Sequence, residues 1–270
     1  MRGKYSVLSI LFSVMFMFLL LVIASRATET TKKVSVDGYT AVMQPALGTE
    51  GMELSADSTP IPTPAPTPKL ILPSIDINSW EYMLANNSNN ISTYTPVVVP
   101  IEGTTQFFDE RAISYLNEFL EGARAAGFSP HINAGYRPYS SQRYLFNGKA
   151  SQISWDGTYT YAEAVELAKK IVAPPGASEH QTGLAVDITD KHYKIMDLEA
   201  MDKNLLAWLK EHCYEYGFIL RYPDKKEAIT GWNEPWHFRY VGKEVAKFMT
   251  KNNLCLEQFL ELYKKQETAK

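Results

Sequence analysis

Cysteine is nearly absent: Cys213 and Cys255 are the only two in 270 residues. Neither belongs to a CxxC pair, which excludes a cysteine-ligated zinc site on spacing. Positive charge is not in excess either. Lys and Arg number 27 against 30 Asp and Glu, for a net charge of -3, and they are scattered, so a nucleic-acid groove is not expected. There is no internal repeat. Long apolar runs are confined to one place, the first 25 residues.

That run extends from Tyr5 to Ser25 without a charge and follows Arg2 and Lys4. It has about the 20 residues that a membrane-crossing helix needs. A cleaved signal peptide has a shorter apolar centre and a small-x-small site, whereas Ser25-Arg26-Ala27 carries an arginine in the middle. The expectation is therefore an uncleaved transmembrane signal-anchor at 5–25, with a short cytoplasmic tail at 1–4 and all that follows outside the cell. Residues 26–74 lack periodicity and include "STPIPTPAPTPKLILP". Proline fixes φ and removes donors, so this Pro/Thr-rich linker reads as a disordered, extended stalk. Outside the cell the two cysteines could pair. Equally, Cys213 shares a helical stripe with Leu205, Leu209 and Tyr216 and reads as a small buried hydrophobe.

Residues 75–270 read as one domain of mixed α and β structure. Ala112, Leu116, Phe119, Leu120 and Ala123 form a helical stripe within 107–126 that stops at Gly127. A strand ends near Tyr136, and a helix covers about 140–146. Thr160-Tyr161-Ala162-Glu163 has the form of a capping box and opens a helix toward Val172. Further helices are expected at 203–216, 242–250 and 256–264, and strands at 217–221 and 236–241.

Two stretches carry chemistry. In "PGASEHQTGLAVDI", a strand beginning after Gly183 puts Leu184, Val186 and Ile188 on one face and Ala185, Asp187 and Thr189 on the other. Asp187 then sits among small residues with room beside it, and His180 lies just before the strand. In "GWNEPWHFRYVG", His237 and Arg239 share a face, with Glu234 three residues ahead of the histidine. Two histidines and a carboxylate make a three-ligand zinc site with one position open, the arrangement of catalytic zinc. Glu234, a further carboxylate outside the ligand set, suits a general base. The competing interpretation is that the histidines are hydrogen-bonded core residues and the Trp-rich strand is packing; spacing alone leaves both standing.

At these residues the chain resembles the VanY-type D-alanyl-D-alanine carboxypeptidases of vancomycin resistance, with the related L,D-carboxypeptidases and phage endolysin peptidases. The family pattern S-x-H-x-x-G-x-A-x-D followed by E-x-x-W-H is met by Ser178 to Asp187 and by Glu234 to His237 without departure. "NAGYRPYSSQRYLF" looks like the family's arginine loop. The likeness covers roughly residues 80–242. It implies a hedgehog/D,D-peptidase-like α+β fold, a small central antiparallel sheet flanked by helices, in which His180, Asp187 and His237 hold Zn2+ and Glu234 is the catalytic base. It also implies that Arg137 serves catalysis and binds the substrate, with Gln142 and Ser178 lining the site. A planar guanidinium grips a carboxylate in two places. Ser178 could equally cap a turn, and Gln142 could be a solvated first-turn residue. His131, His192 and His212 match no motif position and read as structural or solvated.

The activity implied is removal of the C-terminal D-alanine from peptidoglycan stem peptides by a monomer on a bacterial cell membrane. The membrane is its partner only through the N-terminal helix. Release from tetrapeptide stems by an L,D-carboxypeptidase, and a catalytically silent wall-binding module, are the alternatives. An intact Glu234 speaks against the module, which has no need of a base.

Overall fold

The computed structural model describes residues 70–268. The expected anchor at 5–25 and most of the linker lie outside the described residues. Among the described residues, no helix is long and apolar enough to cross a membrane.

The chain first makes a hairpin of β1 (Val98–Pro100) and β2 (Phe107–Asp109), paired antiparallel. Next come α1 (Ile113–Ala125), β3 (His131–Ala134), α2 (Tyr139–Ile153) and α3 (Tyr161–Ala168), then a 3-10 turn (Glu179–Thr182) and β4 (Ala185–Thr189). The remainder is α4 (Lys203–His212), β5 (Phe218–Leu220), the single-turn α5 (Glu227–Thr230), β6 (His237–Tyr240), α6 (Lys243–Lys251) and α7 (Leu256–Thr268). Four strands form an antiparallel sheet in the order β3-β4-β6-β5. The described residues all fall in one compact unit.

The central sheet is two-sided, and that positions the site. Val186 pairs with Phe238, and with Ile188 and Tyr240 these residues face the main core. There α1 contributes Leu116, Phe119, Leu120 and Ala123, the stripe seen in the sequence. Phe119 stacks on Phe218 at 5.3 Å and meets Phe238 edge-on at 5.6 Å. Truncating a buried phenylalanine of this kind costs about 3–5 kcal/mol. The opposite face carries Ala185, Asp187, His237 and Arg239 by the strand period of two. Ile219 turns to that side as well and packs with Val245, Met249 and Phe259 of α6 and α7.

Three expectations about elements need correction. The helix does not begin at Phe107. Residues 107–109 form β2 instead, because Phe108 buries in the core and the Asp109 N–H reaches Gly183 O at 2.9 Å, a tertiary pairing that overrides local pattern. Helix α2 runs seven residues past Phe146, since Phe146 and Ala150 bury together against Ala168 of α3. Helix 203–216 tightens into a 3-10 turn from Cys213 to Tyr216. The capping box at Thr160 forms: Glu163 N–H donates to Thr160 Oγ1 at 3.3 Å, and Thr160 N–H to Glu163 Oε2 at 2.8 Å. Both cysteines are free and buried. Cys213 packs with Leu205, Leu209 and Phe218 in the main core, so of the two readings the buried hydrophobe is the one the fold adopts.

Candidate metal centre and active site

Pairing of β4 with β6 sets Asp187 directly across from His237. Their side chains meet on the face away from the core, with His237 Nδ1 3.0 Å from Asp187 Oδ1. His180 arrives from the 3-10 turn, which closes at Gly183 with φ +75, a conformation glycine enters without strain. Its Nε2 lies 3.4 Å from Asp187 Oδ2, and the two imidazoles stand edge to face at 4.9 Å. One donor atom from each of His180, Asp187 and His237 falls within 4.8 Å of the others.

The loop after β3 supports this cluster. His180 Nδ1 pairs with Gly135 O at 2.8 Å, which fixes Nε2 as the atom turned toward Asp187. A Cβ on Gly135 would stand 2.5 Å from Phe107 O, so only glycine lets β2 pass close enough for that carbonyl to be delivered. Two residues on, Arg137 N–H bonds to His180 O at 3.0 Å. The loop and the turn are thereby tied together.

Glu234 begins a turn in which His237 N–H returns to Glu234 O at 3.1 Å. Pro235 takes the second position of that turn, where its fixed φ is already suited. The turn brings Glu234 Oε2 to 3.6 Å from His237 Nδ1. Burial raises the Glu234 carboxyl to about 7, with His237 and Arg137 pulling down and Asp187 and Glu179 pushing up. It is thus a carboxyl able to take and return a proton near neutral pH. Burial opposes charge on His237, yet the hydrogen bond to Asp187 and the nearby Glu179 and Glu234 carboxylates outweigh it and raise the imidazole to about 9. Burial also opposes the Asp187 charge, but His180 and His237 hold that carboxyl far below the ordinary carboxylate range. His180 is lowered, chiefly by burial, with Arg137 and His237 adding to it.

A cavity of about 710 Å³ opens over the cluster, and Arg137, Ser178, Glu234, Trp236 and Tyr222 line it. The Arg137 guanidinium donates to Gln142 Oε1 at 2.8 Å, and Gln142 Nε2 to Ala173 O at 2.6 Å. Gln142 is 1% exposed, not solvated, and both ends of its amide are spent on holding Arg137 against the cavity wall. Ser178 stands at the N-cap of the 3-10 turn, but its side chain makes no capping hydrogen bond; the residue is buried and lines the cavity. His131 and His192 pair with each other 6.1 Å apart, and His212 stacks on Trp208 at 4.7 Å.

Three carboxylates, Asp187, Glu234 and Glu179, lie within 3.7 Å of one imidazole. Such a concentration of anionic and nitrogen donors fits a divalent cation, and N2O donors in a three-residue set fit zinc. Sequence reasoning placed His180, Asp187, His237 and Glu234 in one site, and the fold brings these four together with Arg137. It missed Tyr222, whose ring lies 4.9 Å from that of His237, and the buried Glu179. Neither carries a signal in one dimension, although Glu179 stands inside the quoted motif.

Fold and site together define a metal-dependent hydrolase of the α+β type. The chain belongs to the VanY D-alanyl-D-alanine carboxypeptidase family, whose model matches residues 105–243. A D-alanyl-D-alanine carboxypeptidase of Enterococcus faecalis (strain ATCC 700802 / V583) is 38% identical over 190 residues, 70% of this chain and 69% of that relative. Among solved structures, a mutant of the vancomycin-resistance D,D-pentapeptidase VanY from the VanB-type cassette, in complex with Zn(II), superposes with a TM-score of 0.59. It is 38% identical and covers 67% of this chain and 99% of its own. The LdcB LD-carboxypeptidase superposes at 0.57 with 34% identity, covering 66% of this chain and 84% of its own.

Proposed function

We propose that this protein is a zinc-dependent D,D-carboxypeptidase that removes the terminal D-alanine from peptidoglycan stem peptides. The observation that carries the reading is the convergence of His180, Asp187 and His237 beside Glu234, in a cavity walled by Arg137. The zinc found in the VanY relative and the printed activity of the Enterococcus faecalis relative support it.

Zinc, when bound, supplies a Lewis acid that polarises the scissile carbonyl and eases ionisation of the attacking water. His180, Asp187 and His237 would hold it. Glu234 takes the proton from that water and passes it to the leaving amine nitrogen, which its near-neutral carboxyl permits in both directions. Arg137 grips the terminal carboxylate of the stem and fixes where the peptide bond lies. Gln142 keeps the guanidinium aimed, and Ser178 offers a hydroxyl to the peptide backbone. The catalytic domain acts outside a bacterial membrane on a single-pass anchor at residues 5–25; Arg2 and Lys4 ahead of the uncharged run support that placement.

The LdcB likeness supports a second reading, cleavage of tetrapeptide stems by an L,D-carboxypeptidase. D-alanine release from pentapeptide and tetrapeptide stems by the zinc-loaded protein separates the two. Release from pentapeptide, falling about 10²- to 10⁴-fold in kcat in Glu234→Gln with zinc content unchanged, is the expected result. Release from tetrapeptide alone replaces the D,D assignment, and equal rates in parent and variant sink the role of Glu234.

A further inference from the structure

Behind the metal cluster stands a carboxylate that the reaction does not use. Glu179 is 1% exposed, and its two oxygens are treated differently. Oε1 accepts from Arg221 Nε at 2.8 Å and from Arg239 Nη1 at 2.9 Å. Oε2 has no hydrogen-bond partner and faces His237 Nε2 at 3.7 Å, a nitrogen that is itself buried and without a partner. Two orphaned polar atoms that face each other in the interior are costly unless they serve one another.

The surroundings keep Glu179 from turning away. Arg221 is bound through both terminal nitrogens to Glu257 of α7, at 2.9 and 2.6 Å. Arg239 is fastened through Nη2 to the carbonyls of Glu81 and Met83 at 2.9 and 2.8 Å. Both guanidiniums are fully buried, so the Oε1 corner is claimed by donors that have nowhere else to go. The free oxygen can only point at the imidazole.

We propose that Glu179 is the positioning residue of the metal centre, holding His237 with its proton on Nε2 so that Nδ1 presents its lone pair beside Asp187. The proposal rests on the zinc reading above. His180 is held from behind by the neutral Gly135 carbonyl; His237 is held by a full negative charge. An anionic partner raises the basicity of the ligating imidazole as well as orienting it. The network also links the cluster to both ends of the domain, the 81–83 segment and α7.

Glu179→Gln tests this sharply, because Gln cannot imitate the carboxylate here. Arg221 and Arg239 would claim the amide oxygen, leaving the NH2 to face His237 Nε2 and favouring the tautomer with its proton on Nδ1, where the metal binds. In the full-length, zinc-loaded parent, long-range 1H–15N correlation spectra are expected to report His237 protonated on Nε2, assigned by loss of its signals in His237→Asn. In Glu179→Gln, zinc affinity measured by chelator competition is expected to fall about 10- to 100-fold, with the metal-free ring protonated on Nδ1. A merely structural carboxylate would lower Tm in the variant but leave tautomer and affinity alone. Zinc held through Nε2 of His237 in the parent, or a variant with the parent's tautomer and affinity, overturns the proposal. Should that variant fail to fold, Glu179→Asp, which keeps the charge but draws it back from Nε2, takes its place: a fall in zinc affinity at unchanged metal-free Tm supports the proposal, and parental affinity overturns it. A parent that binds no zinc defeats the metal reading itself, and this proposal with it.

Discussion

Arg137 shows how much one side chain depends on its setting. Burial lowers its pKa, and Asp187 and Glu234 resist that shift, so the guanidinium stays charged in the cavity wall. If it binds a terminal carboxylate, Arg137→Ala is expected to raise KM about 10- to 100-fold, the worth of a charged hydrogen bond. A substrate ending in a carboxamide should lose a similar factor with the parent enzyme. Combining the two changes should cost little more than either, because both remove one interaction; steady-state kinetics on the four pairs measures it. Cys213 is the opposite kind of residue, chemically silent because of its surroundings. Burial pushes its thiol up to about 12 and that of Cys255 up as well. Neither should react with a thiol reagent at pH 8 until denaturant is added, and mass spectrometry of the labelled protein reads this directly.

At the scale of elements, α3 depends on its first turn. The Glu163 carboxyl receives the Thr160 backbone N–H and hydroxyl, and these bonds hold its folded-state pKa below the ordinary 4.5. Its folded pKa is depressed, so its contribution is present in full above 4.5 and is lost as pH falls through the lower folded value. The Tm difference between the parent and Glu163→Gln should therefore be constant near pH 7 and shrink as the solution is acidified below 4.5. Thr160→Ala removes the other half of the box and is expected to cost roughly 1 kcal/mol at neutral pH. The helix also matters to the site: α3 and α2 share Phe146, Ala150 and Ala168, and Gln142, on the first turn of α2, braces Arg137.

The metal cluster joins elements from distant parts of the whole molecule, namely the loop after β3, the 3-10 turn, β4 and β6. A cation bound there ties them together only in the folded chain, so it stabilises by mass action, about 2.7 kcal/mol at a zinc concentration 100 times Kd. For a domain of this size that is roughly 5–10 °C in Tm. Removing zinc with a chelator should lower Tm by that amount, and adding it back should restore it. His237→Ala should show neither effect in differential scanning calorimetry.

Much of this organisation was legible in the amino-acid order. Strand alternation put Asp187 and His237 on open faces, and a run of residues with ligand and base chemistry marked the site before any fold was known. The α1 stripe and the Thr160 capping box were equally plain, because helical period and caps are local properties. What lay beyond the sequence depended on partners far along the chain. The register that sets Asp187 against His237 joins residues 50 apart. Phe107 to Asp109 became a strand because Val98 to Pro100 and Gly183 came to meet it. Glu179 found Arg221 and Arg239 at separations of 42 and 60 residues. The sequence by itself determined which chemistry was present and which face of each element carried it, since these follow from side-chain type and backbone period. Tertiary structure alone decided which groups met, because pairing across the sheet and burial of charge depend on the whole chain closing on itself.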